Sequence, residues 1–478
     1  MKKIFVYGII LSMLVVFALF GFGCSNGNEP NTSNIDWENR DQRSEQFVMA
    51  LVNGDYSIAA VGFDADMTRA LGAPGLKKAW EDTVKQAGAF VSIVKTQTEL
   101  NDEYDIYIVI SRHENTGISS RIVFSGDDLI AGLFFSFTDI LSDWDMTPIK
   151  KDSYTEIPII ISEGGDYPLK GIITMPDNTT DKIPAVVLVH GSGPSDMNGV
   201  PRALLPDYPN AHFKDIAEYL SSNGIAVLRY DKRGFSIEHA TKFIQQFGGS
   251  ATVWEETIED AILATNILKN DERIDENRVF ILGHSLGGML APRIHAMGGN
   301  YAGLILFAGS PRSLLEIIYD QQYYYYMETL EGEELEEIIM LYSDGTTKTQ
   351  LEDQTALIMN MPDDEAKATD GGGVSFYYYK DLLLNPATEF IKDINKPFLV
   401  MHADNDWQVF TDRDFAMYMS KDLLGDRSNA TFKLYEGLNH IFMPSTATRS
   451  IDILDEYKIK ANVDEQVLKD IADWIKSN

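Results

Sequence analysis

From Lys151 to the C-terminus, short runs of apolar and β-branched residues alternate with stretches of helical periodicity, and few folds admit that alternation. Eight runs read as strands: Glu156 to Ile161, Leu169 to Met175, Ala185 to His190, Ile225 to Tyr230, Arg278 to Leu282, Gly303 to Phe307, Phe398 to His402 and Thr431 to Tyr435. Helical patterns fall between several of them, at Phe213 to Ser222, Thr257 to Leu268 and Phe415 to Leu424, and a last helix is expected from Val463 to Ile475. Apolar runs without a polar face belong to strands covered on both sides, so the expectation is an α/β domain around an eight-stranded, mostly parallel sheet.

One interval breaks this rhythm. Between residue 311 and about 395 no strand pattern occurs, and the segment carries Tyr319, Tyr323 to Tyr326, Tyr377 to Tyr379, the acidic run Glu331 to Ile339 and the glycine-rich Asp370 to Gly373. It reads as a helical lid insertion after the sixth strand, expected to hang over the carboxyl ends of the strands, where open parallel sheets bind ligands.

Upstream, residues 37–148 read as a separate small α+β domain. Phe47, Ala50 and Leu51 share one helical face and Leu76, Trp80 and Val84 another. Strand-forming runs follow at Phe90 to Lys95, Ile106 to Ile110, Arg121 to Phe124 and Leu129 to Phe137 without helical crossovers, which suggests an antiparallel sheet. No catalytic set stands out there, and His113 is expected at the surface.

The strongest chemical signal is the run Arg278-Val-Phe-Ile-Leu-Gly-His-Ser-Leu-Gly-Gly288, a strand pattern leading straight into Gly283-His-Ser285-Leu-Gly287. A serine in such a strand-to-helix turn is held on a nucleophile elbow, with glycine required on either side where a side chain would strike backbone. The hydroxyl needs a base to take its proton and a carboxylate to orient that base. Sites built on this elbow follow the chain order Ser, acid, His.

Three histidines follow Ser285: His295, His402 and His440. His295 falls in the expected helix after the elbow and His402 at the end of a buried strand, which leaves His440, on the loop after the last strand, as the base. For the acid, Asp404 and Asp406 compete, both just past the seventh strand. The developing oxyanion needs preset backbone donors. Leu286 supplies one, and the loop His190-Gly-Ser192-Gly-Pro194 the other, through Ser192 with Gly193 as its rival. The charged run Arg229-Tyr-Asp-Lys-Arg-Gly234 reads as structural.

Together, His-Gly-Ser-Gly-Pro, Arg-Tyr-Asp-Lys-Arg-Gly, Gly-His-Ser-Leu-Gly-Gly, Asp-Trp-Gln-Val and Gly-Leu-Asn-His resemble the α/β-hydrolase superfamily, in the region of dienelactone hydrolases, acyl thioester hydrolases, prolyl-oligopeptidase-like domains and bacterial carboxylesterases. The resemblance spans residues 152–478, within a hydrolase domain expected over 149–478. It implies the α/β-hydrolase fold and favours Asp406, because an aspartate followed shortly by a β-branched residue matches the family's acid loop. The stretch Phe47 to Phe90, with Gly54-Asp-Tyr56 and Trp80, resembles a small domain of unknown function found ahead of hydrolases in Gram-positive surface lipoproteins.

Net charge and cysteine use restrict the remaining possibilities. A formal net charge of -32 opposes binding to phosphate backbones, so nucleic acid is excluded as a partner. The single cysteine, Cys24, rules out an intramolecular disulfide and a zinc ribbon. It follows Lys2, Lys3 and an apolar run from Ile4 to Phe22, which reads as a secretory signal over residues 1–23. Phe22-Gly-Cys24-Ser resembles a bacterial lipobox, with Gly21 where leucine is usual, and implies lipidation at Cys24, a flexible tether over 24–36 and an extracytoplasmic location.

The membrane is then met only through that anchor; the alternatives are an uncleaved membrane anchor and plain secretion, and either also places the body of the protein outside the cytoplasm. The expected activity is hydrolysis of a small, short-acyl carboxylic ester, with no metal or organic cofactor. The alternatives are a peptidase, amidase or acyl thioesterase of the same fold, and a non-catalytic extracytoplasmic binding lipoprotein.

Overall fold

The structure, a computed structural model, describes residues 40–100, 105–113, 117–138, 144–177, 179–201, 208–446 and 456–478. The expected signal, Cys24 and the tether lie outside the described residues. The described chain forms two compact units, residues 40–144 with 236–241, and residues 145–235 with 242–478.

In the smaller unit, helices Arg40–Val52 and Gly72–Ala87 accompany four strands, β1 (Phe90–Leu100), β2 (Asp105–His113), β3 (Gly117–Phe124) and β4 (Ile130–Thr138). The strands pair in sequence order and all antiparallel. Phe47, Leu51, Leu76 and Trp80 from the helices bury against Val109, Ile118, Ile122 and Ile130 of the sheet. Each such side chain contributes roughly 1.5–3 kcal/mol when removed from water.

His113 differs from expectation: it is buried, not at the surface. Its ring packs edge-on against Trp80 and Phe90, and its nitrogens meet Ser111 Oγ and the Gly88 carbonyl. Strand alternation turns it inward with Ser111, and local partners satisfy both nitrogens.

The larger unit is built on β5 (Ile149–Lys150), β6 (Tyr154–Ile161), β7 (Leu169–Pro176), β8 (Ile183–Val189), β9 (Ala226–Tyr230), β10 (Ile274–His284), β11 (Leu304–Phe307), β12 (Phe398–Ala403) and β13 (Ala430–Tyr435). The eight expected strands all form, and the two-residue β5 adds a ninth at one edge. Their spatial order is β13-β12-β11-β10-β8-β9-β7-β6-β5, parallel from β13 to β9 and antiparallel beyond. Alternate residues of one strand feed opposite cores: Ala185, Val187 and Val189 face one, Val186 and Leu188 the other. Helices Glu259–Asn270 and Leu286–Ile294 cover the first face, and His212–Ser222 and Glu465–Ser477 the second.

The expected helix Phe415 to Leu424 is not continuous. A π-turn at Thr411–Phe415 and a short α-turn at Ala416–Tyr418 give way to a reversal, in which Leu424 N–H bonds the Tyr418 carbonyl and Gly425 N–H that of Ser420. A Cβ at residue 425 would lie 2.0 Å from the Met419 oxygen, so the chain folds back on itself where only glycine fits. Residues 311–395 contain helices Leu314–Thr329, Gly332–Ser343, Thr346–Asn360, Asp363–Ala368, Phe376–Leu384 and Ala387–Asp393, with no strand among them.

Candidate active site

Ser285 sits between β10 and the helix Leu286–Ile294 with φ 54° and ψ -118°, a region that non-glycine residues enter at a cost of about 1–3 kcal/mol. The surroundings impose it. Ser285 N–H bonds the Phe307 carbonyl at 2.9 Å, and its own carbonyl accepts from Met289 N–H at 3.0 Å. The flanking glycines make the turn possible: a Cβ on Gly283 would lie 2.1 Å from the Gly287 oxygen, and one on Gly287 2.5 Å from the Val189 oxygen. The sharp turn lifts the serine to the wall of a cavity of about 190 Å³ at the carboxyl end of the parallel strands.

Asp406 lies in the loop after β12 and is 1% exposed. Its Oδ1 accepts from the N–H groups of Gln408 and Val409 at 2.8 and 3.0 Å, which aims Oδ2 at Nδ1 of His440, 2.7 Å away. His440 comes from the loop after β13. Asp404, the competing carboxylate, instead accepts from Gly437 N–H at 2.7 Å, while Asn405 N–H bonds the Leu438 carbonyl. Asp404 therefore ties the acid loop to the histidine loop, and Asp406 faces the imidazole.

Ser285, His440 and Ser192 line the one cavity. Asp406 stands behind His440. Leu286 is the first residue of its helix, where N–H groups lack intrahelical acceptors; neither it nor Gly193 lines the cavity. His295 and His402 are elsewhere: His295 Nδ1 accepts from Tyr301 N–H, and the buried His402 donates to the Gly309 carbonyl through Nε2.

The charged run after β9 shapes the Ser192 loop. Lys232 Nζ donates to the Gly191 carbonyl at 2.9 Å and pairs with Glu256 at 2.6 Å, and Asp231 accepts from Met197 N–H at 2.7 Å. Arg229 binds Glu156, Thr174 and Asn198, and Arg233 binds Asp260 and Glu259. These are scaffold contacts.

Sequence reasoning did not single out four further lining residues: Tyr208, His212, Trp407 and Tyr457. Trp407 stands inside the acid-loop motif, the other three come from segments without a local signature, and all four meet only through the fold.

No residue of the 311–395 insertion lines the cavity among the described residues. Its helices are drawn instead onto neighbouring elements. Arg293 forms a two-pronged ion pair with Asp381, Tyr378 donates to Glu256, and Gln321 donates to the Gln408 carbonyl. Arg312 bridges the buried carboxylates of Asp320 and Asp414.

The family model described as Serine aminopeptidase, S33, matches residues 210–444, and one described as Protein of unknown function (DUF3887) matches residues 44–133. Over 438 residues the chain is 32% identical to Esterase EstD of Thermotoga maritima, covering 91% of this chain and 95% of that one. Among solved structures, Est1E from Butyrivibrio proteoclasticus superposes with a TM-score of 0.38 at 16% identity, over 67% of this chain and 99% of its own. A dienelactone hydrolase from Anabaena variabilis gives 0.37 at 15% identity, over 68% and 99%. With the elbow, the mixed, mostly parallel sheet and a relative matched along nearly its whole length, the chain belongs to the α/β-hydrolase superfamily, in the hydrolase family that includes Esterase EstD.

Proposed function

We propose that this hydrolase cleaves short-acyl carboxylic esters through Ser285, His440 and Asp406. The observation that carries the reading is a strained, cavity-facing serine sharing that cavity with an imidazole whose far nitrogen is 2.7 Å from a buried carboxylate. Ser285 Oγ attacks the acyl carbon while His440 Nε2 takes its proton, and Asp406 holds the imidazolium that results. The N–H groups of Ser192 and Leu286 receive the oxyanion, each worth roughly 2.7–4 kcal/mol. His440 returns the proton to the departing alcohol, and a water deprotonated by the same ring releases the acid from Ser285. No hydrogen bond joins Ser285 Oγ to His440 in the structure; catalytic contacts of this kind form or tighten in the Michaelis complex.

A cavity of about 190 Å³ is small against usual ligand pockets, which supports a short acyl chain. The leader pattern and Cys24 support export and lipid anchoring, which radiolabelled palmitate incorporation into the full chain, but not into a Cys24→Ala variant, would test.

The activity is tested with p-nitrophenyl esters from acetate to decanoate beside aminoacyl-anilides. The expected result is turnover highest at the short chains and absent in Ser285→Ala. Preferential cleavage of the anilides would assign a peptidase, and inertness to both classes would leave a binding protein.

A further inference from the structure

Two side chains that this chemistry does not use line the same cavity and carry buried polar atoms without a hydrogen-bond partner among the described residues. His212 is 3% exposed and lines the cavity with Ser285 and His440, and neither its Nδ1 nor its Nε2 has a hydrogen-bond partner among the described residues. Trp407, next to Asp406, lines the same cavity, and its buried Nε1 is likewise unpartnered among them. Leaving such groups unpaired costs about 1–3 kcal/mol each, so a binding site is where they are tolerated.

Packing holds the histidine ring without satisfying it. Its centroid lies 4.7 Å from that of Phe213 and 5.0 Å from that of His284. Burial, reinforced by the imidazoles of His190 and His440, pushes its pKa down to about 3. The ring is therefore neutral at physiological pH, with one N–H donor and one lone-pair acceptor.

We propose that His212 and Trp407 form a polar subsite that binds a hydroxyl group of the substrate, so that the preferred esters are hydroxylated and not plain alkyl. A hydroxyl is complementary to this pair: its oxygen accepts from the indole N–H or the ring N–H, and its hydrogen goes to the bare imidazole nitrogen. An alkyl group answers none of these atoms. A carboxylate only accepts, so it leaves the bare nitrogen unpaired, and no Lys or Arg lines the cavity among the described residues to receive its charge. The rings of Tyr208 and Tyr457, edge to face with centroids 6.3 Å apart, add apolar surface to the wall against the carbon skeleton. The inference rests on the serine-esterase reading of this cavity.

Two matched substrate pairs test it and locate the hydroxyl. Methyl 3-hydroxybutyrate against methyl butyrate places it on the acyl side, and 2-hydroxyethyl acetate against ethyl acetate places it on the alcohol side. The wild-type enzyme should prefer the hydroxylated member of at least one pair by about tenfold or more in kcat/KM. His212→Leu should bring that ratio close to one, Trp407→Phe should lower it, and His212→Gln, which keeps a donor and an acceptor, should restore part of it. Because Trp407→Phe keeps an aromatic ring in place, it tests the subsite even if the change at 212 disturbs folding. Equal rates within both pairs, or a preference that survives both apolar substitutions, would overturn the subsite while the esterase stands. An enzyme inert to all four esters would overturn the esterase reading and the subsite with it.

Discussion

Nε2 of His284 lies 3.1 Å from the main-chain oxygen of His440. A carbonyl only accepts, so His284 donates, and the residue preceding Ser285 thereby holds the backbone of the loop that carries the imidazole. The two residues are 156 positions apart in sequence. Replacing His284 with leucine leaves that buried carbonyl unpaired, and urea unfolding should show a loss of about 1–3 kcal/mol. Freed from its tether, His440 should wander from the alcohol, and kcat should fall by about tenfold or more. A leucine variant as active as wild type would contradict this coupling.

Asp406 offers a sharper test of the acid's role. In Asp406→Asn the amide keeps the volume, and its carbonyl can still accept from Gln408 and Val409, but the NH₂ group then faces Nδ1 and selects the wrong imidazole tautomer. Steady-state kinetics should show kcat down by about 10⁴ with near-normal thermal stability. Asp404→Asn, which touches only the Gly437 turn, should cost far less activity. Equal losses at the two positions would refute the division of labour between them.

Lys232 supports the loop that presents Ser192. It is buried, with its ammonium between the Gly191 carbonyl and Glu256. Lys232→Met removes both contacts and leaves Glu256 the Tyr378 hydroxyl as a partner, so the expected outcome is a kcat lower by roughly tenfold through a misplaced oxyanion donor. Stability should also fall by about 1–3 kcal/mol in chemical denaturation, chiefly from the unpaired Gly191 carbonyl. Unaltered kinetics would show that the loop holds its shape without this lysine.

Acid should unfold the larger unit earlier than its carboxylates alone require. Burial pushes His190 and His212 down to about 3 and His284 well below the usual imidazole value. The unfolded chain binds protons at these residues near pH 6.5, whereas the folded chain refuses them until about pH 3 or lower. Stability contributed by the neutral rings is therefore complete above pH 7 and is lost as the pH falls below 6.5, at up to about 1.4 kcal/mol per pH unit for each ring. Urea midpoints should drop steadily from pH 7 to pH 5 and stay flat from pH 7.5 to 8.5. A midpoint that holds constant from pH 7 to pH 5 would contradict the burial of these imidazoles.

The parts of this architecture legible in the sequence are those dictated locally. Ser285 announces itself because an elbow between β10 and its helix demands Gly283 and Gly287, and the strands of the larger sheet show as apolar runs because both faces are covered. His440 follows from chain order and loop position, Asp406 over Asp404 only from the resemblance of its loop to the family's, and their 2.7 Å contact is a property of two loops zipped together by Asp404 and Asn405. His212, Tyr208 and Tyr457 carried no such sign, and Trp407 showed only as part of the acid-loop motif, since aromatic and histidine residues at helix starts or in loops look alike until tertiary packing gathers them. His113 misled because its polarity hides a strand position that faces inward. The insertion was legible as helical, but the residues that hold it down were not: the ion pairs of Arg293 with Asp381 and of Arg312 with Asp414 join residues far apart in the chain.

Serine activation itself is measured most directly by reaction with a fluorophosphonate probe followed by peptide mapping, because no substrate need be guessed. The wild-type protein should acquire one adduct, on the peptide containing Ser285, with none in Ser285→Ala and much slower labelling in His440→Ala. An unlabelled wild-type protein, or an adduct on another serine that persists in Ser285→Ala, would contradict the assignment of Ser285 as the nucleophile.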